Sequence, residues 1–238
     1  MRYDYIIEKE VKILNSTLLR GKIEDFYNFV SNNFKNNFSS TFCEIPKESD
    51  LVFNINKLLF EFILLKNNYK IVTQLEARFF SSNKKYGKKT KKIDIGIFYL
   101  KPNNINNFYF LDIIEIKRAG KAPKKITDGY FLKSESNTIA KDFERLVEFL
   151  NEPIKLVRQK YKGEFKETYN IKSGLFIDLH PEDNKKEAIE KGVKYWRKKI
   201  ETNGLNVKIH DPLISKIPNL VGEEEDYLSF VLFERIKK

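Results

Sequence analysis

The stretch IIEIKRAG, residues 113–120, decides how the rest of the chain is read. Side chains on a β-strand alternate between faces. Glu115 and Lys117 therefore share a face, while Ile114 and Ile116 point the other way into apolar packing. An acid and a base stand side by side in a run that reads as a buried strand. Either they satisfy each other as an ion pair or they do chemistry. A buried pair is a poor stabiliser compared with well-packed apolar residues, which weighs against the first alternative.

The preceding run, KKIDIGIF at 91–98, reads as a second strand, and Asp94 interrupts it as Glu115 interrupts the third. The loop between them is short, so the two strands are expected to pair and to bring Asp94 and Glu115 together, with Lys117 one step further on. Close carboxylates repel, so they need a cation between them or a proton on one of them. Mg²⁺ suits such a pair because it takes a few carboxylate oxygens and keeps several waters. Mn²⁺ is expected to substitute, and the peptide oxygen of Ile116 offers a further ligand. A metal held there lowers the pKa of bound water and clamps a phosphate oxygen. Lys117 orients the attacking water or stabilises the charge that builds on phosphorus. These are the parts for in-line hydrolysis of a phosphodiester. Glu-x-Lys also occurs at Glu10–Lys12 and Glu164–Lys166, but in segments that read as surface.

Neighbouring acids divide by position. Asp112, three residues before Glu115, faces the opposite side and reads as structural or solvent-facing. Glu76, in the first strand, either faces the site or lies free on the surface. Glu61 sits in the most apolar helix, where an unpaired carboxylate is costly. It either binds the metal, directly or through water, or pairs with Lys57 one turn away.

The strands lie in a regular order of elements. ESDLVFNINKLLFEFILLKNN predicts a long helix with Ser49 as N-cap, preceded by helix-prone segments in 1–48. YKIVTQLEARFF, IDIGIFYL and FYFLDIIEIKRAG follow as a three-stranded meander. TIAKDFERLVEFLN predicts an amphipathic packing helix stopped by Pro153. GLFIDLH is a strand, PEDNKKEAIEKGVKYWRKKIETNG a helix ending in Gly204, and LNVKIHD and YLSFVLFERI close the chain as strands. The pattern predicts an α/β or α+β sandwich around one central sheet.

Composition narrows the partners. The 238 residues are 41% hydrophobic, with 20 Phe and 12 Tyr, enough for a sizeable core. The longest apolar stretch, LLFEFILL, is too short to span a bilayer and contains Glu61. No secretion signal is read at MRYDYIIEKE, so a cytoplasmic location is expected. The single cysteine, Cys43, excludes an intramolecular disulfide and reads as a buried apolar residue. The net charge of +11, from 44 basic and 33 acidic residues, favours a polyanionic partner. Lys84, Lys85, Lys88, Lys89, Lys91 and Lys92 crowd the turn before Asp94, and Arg118, Lys121, Lys124 and Lys125 follow the third strand. Both groups flank the expected site, where they would neutralise phosphates without reading sequence. The alternative is two solvated loops. KYWRKK at 194–199 offers another basic patch, with Trp196 read as core. His180, in DLHPED, is read as a strand-end residue with a satisfied hydrogen bond rather than a general base or ligand.

With Asp94, Glu115 and Lys117 in place, residues 50–180 resemble the PD-(D/E)XK nuclease superfamily, in which a helix with a frequent Glu precedes the strands that carry the Asp and the (Asp/Glu)-x-Lys. Glu61, Asp94 and EIK follow that order. Ile93 replaces the proline often found before the Asp, and no Gln-x-x-x-Tyr follows EIK, which favours a stand-alone endonuclease over a helicase-linked one. The resemblance implies an α/β, restriction-endonuclease-like fold, with a central mixed sheet flanked by helices. Residues 1–48 would form an N-terminal helical extension and 49–238 the nuclease core. It further implies Mg²⁺-dependent cleavage of DNA, in a restriction or other genome-defence role, without a small-molecule cofactor or a membrane. Cutting both strands calls for a homodimer or sequential nicks. The alternatives are a catalytically silent, nucleic-acid-binding member of the same fold within a larger complex, and a basic interaction protein in which the trio is a chance ion pair.

Overall fold

The computed structural model describes residues 23–38, 48–66, 71–81, 90–101, 104–118, 139–151, 154–156, 171–180, 183–218 and 225–236. They form four helices and eight strands. The helices are α1 (Ile23–Phe38), α2 (Glu48–Lys66), α3 (Ile139–Asn151) and α4 (Asp183–Thr202). The strands are β1 (Ile71–Ser81), β2 (Thr90–Lys101), β3 (Asn104–Arg118), β4 (Ile154–Leu156), β5 (Ile171–His180), β6 (Val207–Ile209), β7 (Leu213–Pro218) and β8 (Glu225–Arg235).

All eight strands join one mixed sheet in the order β4-β1-β2-β3-β5-β8-β6, with β7 also on the outer edge of β8. β1, β2 and β3 form the expected antiparallel meander. β5 then pairs parallel to β3. A parallel neighbour needs a crossover, and α3 supplies it. The short strands β4 and β7 were not anticipated. β4 pairs over three residues only, and β7 is bounded by Pro212 and Pro218 in a half-polar run that carries little strand signal.

Strand alternation divides the core into two layers. On one face, α3 and α4 pack Phe143, Leu146, Ile189 and Trp196 against Ile113, Phe176, Val231 and Phe233. On the other, α1 and α2 pack Phe26, Val30, Ile55, Leu58 and Phe62 against Ile95, Ile114, Ile116, Ile177 and Phe230. Ile114 and Ile116 thus point into the α1–α2 layer, as their alternation with Glu115 requires. Trp196 is buried, as expected. Each buried Phe or Leu contributes about 1.5–3 kcal/mol by leaving water, so the two layers packed on the sheet's centre carry much of the stabilisation.

Two glycines stand where the backbone is closely approached or turns left-handed. A Cβ on Gly174 of β5 would stand 3.0 Å from Leu146 Cδ2 and 3.4 Å from Ile113 Cγ1, so Gly174 lets α3 lie close over the sheet. Gly204 ends α4 with φ at 60°. Its N–H donates to the Glu201 carbonyl and that of Leu205 to the Ile200 carbonyl, the paired bonds of a Schellman C-cap.

No helix among the described residues is long and apolar enough to cross a membrane. Lys84, Lys85, Lys88, Lys89, Lys121, Lys124, Lys125, Cys43 and the Glu10–Lys12 and Glu164–Lys166 pairs lie outside the described residues.

Candidate active site at the end of β2 and β3

β2 and β3 pair as far as Ile95 opposite Ile114 and then diverge. Asp94 and Glu115 are the next residues on each strand, so both carboxylates stand where the ladder opens. The Ile116 N–H, no longer bonded to β2, donates to Asp94 Oδ2 at 2.7 Å. That bond fixes the Asp94 carboxylate beside β3. The N–H and C=O of a strand residue leave by the same edge, so the Ile116 carbonyl faces the Asp94 side as well.

A local break in β1 and β2 accompanies this. Glu76, opposite Asp94, adopts φ of 53°. A side chain other than glycine is held in that region at a cost of order 1–3 kcal/mol. Alternation breaks at the same level: Ile95 and Ile97 pack in the α1–α2 layer but Ile93 in the α3–α4 layer. Glu76 itself is exposed and pairs with Lys92, so it takes the surface alternative.

Two helices complete the site from opposite faces. α2 brings Glu48 in its first turn, and α3 brings Asp142 in its first turn. Acids are favoured there because the helix N-terminus is partially positive. Lys117 lies between them, with Nζ 3.3 Å from Glu48 Oε2 and 4.0 Å from Asp142 Oδ2. Arg145, one turn along α3, places Nη1 2.5 Å from Glu115 Oε1 and 3.4 Å from the Lys92 carbonyl. Its Nη2 is 3.5 Å from Asp142 Oδ1.

Burial and charge set the protonation tendencies. Glu115 is 2% exposed. Burial, with the charge of Asp94 beside it, pushes its pKa well above the ordinary value against the pull of Arg145. Burial also raises Asp94, opposed by the Ile116 N–H. Asp142 is raised by burial, opposed by Lys117 and then Arg145. Burial pulls Lys117 down, but the carboxylates of Asp142 and Glu48 outweigh it and hold the ammonium charged. The group therefore counts four carboxylates, Glu48, Asp94, Glu115 and Asp142, against two cations, Lys117 and Arg145.

Asp94, Glu115 and Lys117 are thus brought together, with Ile116 between the last two. Glu61 is not. It pairs with Lys57 at 3.9 Å, its side chain 39% exposed. Thirteen residues of helix at 1.5 Å each place it roughly 20 Å along the axis from Glu48. The expectation that Glu61 serves the site is corrected: the acid that α2 delivers is Glu48. Of the expected phosphate-binding lysines, Lys92 is described and lines a cavity of about 500 Å³ with Asp94, Lys141, Glu144, Arg145 and Glu148. Lys91 lies on β2 and Arg118 ends β3, both flanking the site through their backbone positions.

Glu48, Asp142 and Arg145 were missed from the sequence. Asp142 had a signal: it lies three residues after Ile139 and four before Leu146, on the apolar stripe of α3, and is 7% exposed. An acid on an apolar helix stripe is as anomalous as one inside an apolar strand. A first-turn Glu48 carries no such mark.

Other polar groups take quieter roles. Asp112 accepts from Ser173 N–H at 3.1 Å and from its hydroxyl at 2.8 Å, the structural alternative. His180 is fully buried, with Nε2 3.1 Å from Ser229 Oγ and its ring stacked on Tyr227 at 5.4 Å, as a satisfied strand-end histidine should be.

Among the described residues, no three His, Cys, Asp or Glu side chains stand as a ready-made metal shell. The reason is visible in the pairing: Glu115 turns to Arg145, while Glu48 and Asp142 turn to Lys117. The donor set still suits a hard divalent ion, with oxygen ligands only and four carboxyl groups against two cations. No family model matches the chain, and no curated protein or solved structure matches it.

Proposed function

We propose that the chain is a divalent-metal-dependent DNA endonuclease of the PD-(D/E)XK type, serving restriction or another form of genome defence. The observation that carries this reading is the meeting of Asp94, Glu115 and Lys117 where β2 and β3 part, at a partly buried site where carboxyl groups outnumber cations. The succession α2-β1-β2-β3-α3-β4-β5, with β5 parallel to β3, supports a restriction-endonuclease-like core.

In this reading Asp94, Glu115 and the Ile116 carbonyl hold Mg²⁺ or Mn²⁺. Bound there, the ion supplies Lewis acidity and a water of lowered pKa. The protein does the positioning. Ile116 N–H fixes the rotamer of Asp94. Glu48 and Asp142 keep Lys117 protonated and aimed, so that it donates to the attacking water or to a phosphate oxygen rather than serving as a base. Lys91, Lys92 and Arg118 neutralise neighbouring phosphates. A homodimer would place one such site on each DNA strand.

One observation favours a second reading, a silent nucleic-acid-binding protein of the same fold: Arg145 already neutralises Glu115. Supercoiled plasmid incubated with Mg²⁺, Mn²⁺ or EDTA separates the two. The nuclease gives metal-dependent nicking or linearisation, reduced about 10²–10³-fold or more in Asp94→Ala and Lys117→Ala. Salt-sensitive binding with no cutting by wild type would establish the silent protein instead.

A further inference from the structure

We infer that Arg145 is an exchangeable cation: its guanidinium holds Glu115 until a divalent metal takes the carboxylates of Asp94 and Glu115, and it then turns into the adjoining cavity to hold a nucleic-acid phosphate. The phosphate half rests on the nuclease reading, and the exchange half does not.

Three features carry it. The first is position. Arg145 Nη1 lies 2.5 Å from Glu115 Oε1, on the carboxylate that has the least exposure in the cluster. A metal bound through that oxygen and a guanidinium on the same oxygen repel each other. The second is balance. With Arg145 in place four carboxyl groups face two cations, which share Asp142 and otherwise divide, Lys117 going to Glu48 and Arg145 to Glu115. Arg145 does at Glu115 what a metal would do, but directs its two terminal nitrogens to Glu115 and Asp142. The third is the route out. Arg145 is also a wall of the cavity of about 500 Å³, beside Lys92 and Lys141. Its side chain is 27% exposed against 3% for Glu115, so of the two it is the arginine that has open space beside it. That space is lined by Glu144 and Glu148 as well as the two lysines, so it tolerates a guanidinium turned into it, and the planar fork with Lys92 and Lys141 beside it suits a phosphate.

Titration of the metal-free protein with Mn²⁺ alone, followed calorimetrically, tests the exchange. Arg145→Ala should bind Mn²⁺ about tenfold more tightly than wild type, the size of effect typical of a side chain next to a metal ligand. Lys141→Ala removes the same charge from the same cavity without touching a carboxylate, and should change affinity by less than about twofold because its field is screened. Unchanged or weaker binding by Arg145→Ala, or equal tightening by Lys141→Ala, overturns the exchange. Should Arg145→Ala fold poorly, wild type answers alone: the Arg145 Nε–Hε resonance should move on adding Mg²⁺, and a resonance that stays put overturns the proposal. For the phosphate half, duplex binding is measured against salt. With Ca²⁺ the salt slope of Arg145→Ala should be smaller than that of wild type by about one, and with EDTA the two slopes should agree. The same difference with and without metal, or no duplex binding by wild type, overturns that half while the Mn²⁺ titration still decides the exchange.

Discussion

Asp112 and Glu115 lie three residues apart on β3, on opposite faces, and each is 2% exposed. Their surroundings separate them. Pairing between β3 and β5 slips by one residue here, Leu111 facing Ile171 but Asp112 facing Ser173, so Lys172 is an extra residue. The irregularity would strand the Ser173 N–H, and Asp112 accepts from it and from the hydroxyl. Asp112 mends a bulge with neutral donors. Glu115 faces a second carboxylate and an arginine, and its charge is opposed by burial and by Asp94. A buried acid satisfied by neutral donors serves the fold. A buried acid set against another acid stores a demand for a cation or a proton.

The largest effect should come from exchanging the chemistry of the two. Glu115→Gln keeps the shape and removes the charge. It should reduce metal-dependent plasmid cleavage by about 10²-fold or more while leaving the thermal midpoint unchanged or raised. Asp112→Ala should do the reverse, lowering stability by about 1–3 kcal/mol through the orphaned Ser173 N–H, with cleavage per folded molecule retained. Loss of cleavage at Asp112→Ala without destabilisation would erase the distinction.

Acidity sharpens the same contrast. The folded-state pKa of Glu115 is raised, so between the ordinary glutamate value and that raised value the folded protein holds more protons than the unfolded chain. Stability therefore falls as pH rises through this window. Asp94 and Asp142 shift in the same direction, and the raised Lys117 loses its contribution only above the ordinary lysine range. Urea unfolding in EDTA from pH 5 to 8 should show declining stability, less steep in Glu115→Gln. A steeper decline in that variant would reverse the sign.

The smallest effects belong to α2. Glu61→Ala removes an exposed pair and should change stability by less than about 0.5 kcal/mol and cleavage not at all. Glu48→Ala should slow cleavage about tenfold, in the range of general positioning effects on a charged group, while binding of plasmid in EDTA is unchanged. Equal effects at 48 and 61 would count against the placement of Lys117.

Much of the fold was legible because apolar runs with a period of two, bounded by polar turns, fall on β1, β2, β3, β5 and β8, and a helical period falls on α2, α3 and α4. The strand half of the site was legible for the same reason: Asp94, Glu115 and Lys117 break apolar strands. The helical half was not. Glu61 drew attention as an acid in an apolar helix, but α2 exposes Phe53 and Phe60, so its apolar composition exceeds its buried face. Glu48 lies where any helix tolerates an acid. Arg145 acquires meaning only once Gly174 allows α3 to lie against the sheet, a distance that no spacing along the chain records.

Lys117 bridges a helix that precedes the sheet and a helix that follows the meander. During synthesis, α2 and the three meander strands leave the ribosome before α3 exists. A chain stopped before residue 142 has Glu48, Asp94, Glu115 and Lys117 but neither Asp142 nor Arg145, and lacks β5, on which α3 rests. The centre is thus timed by translation as well as built by folding, and a truncated product carries its ingredients without its assembly.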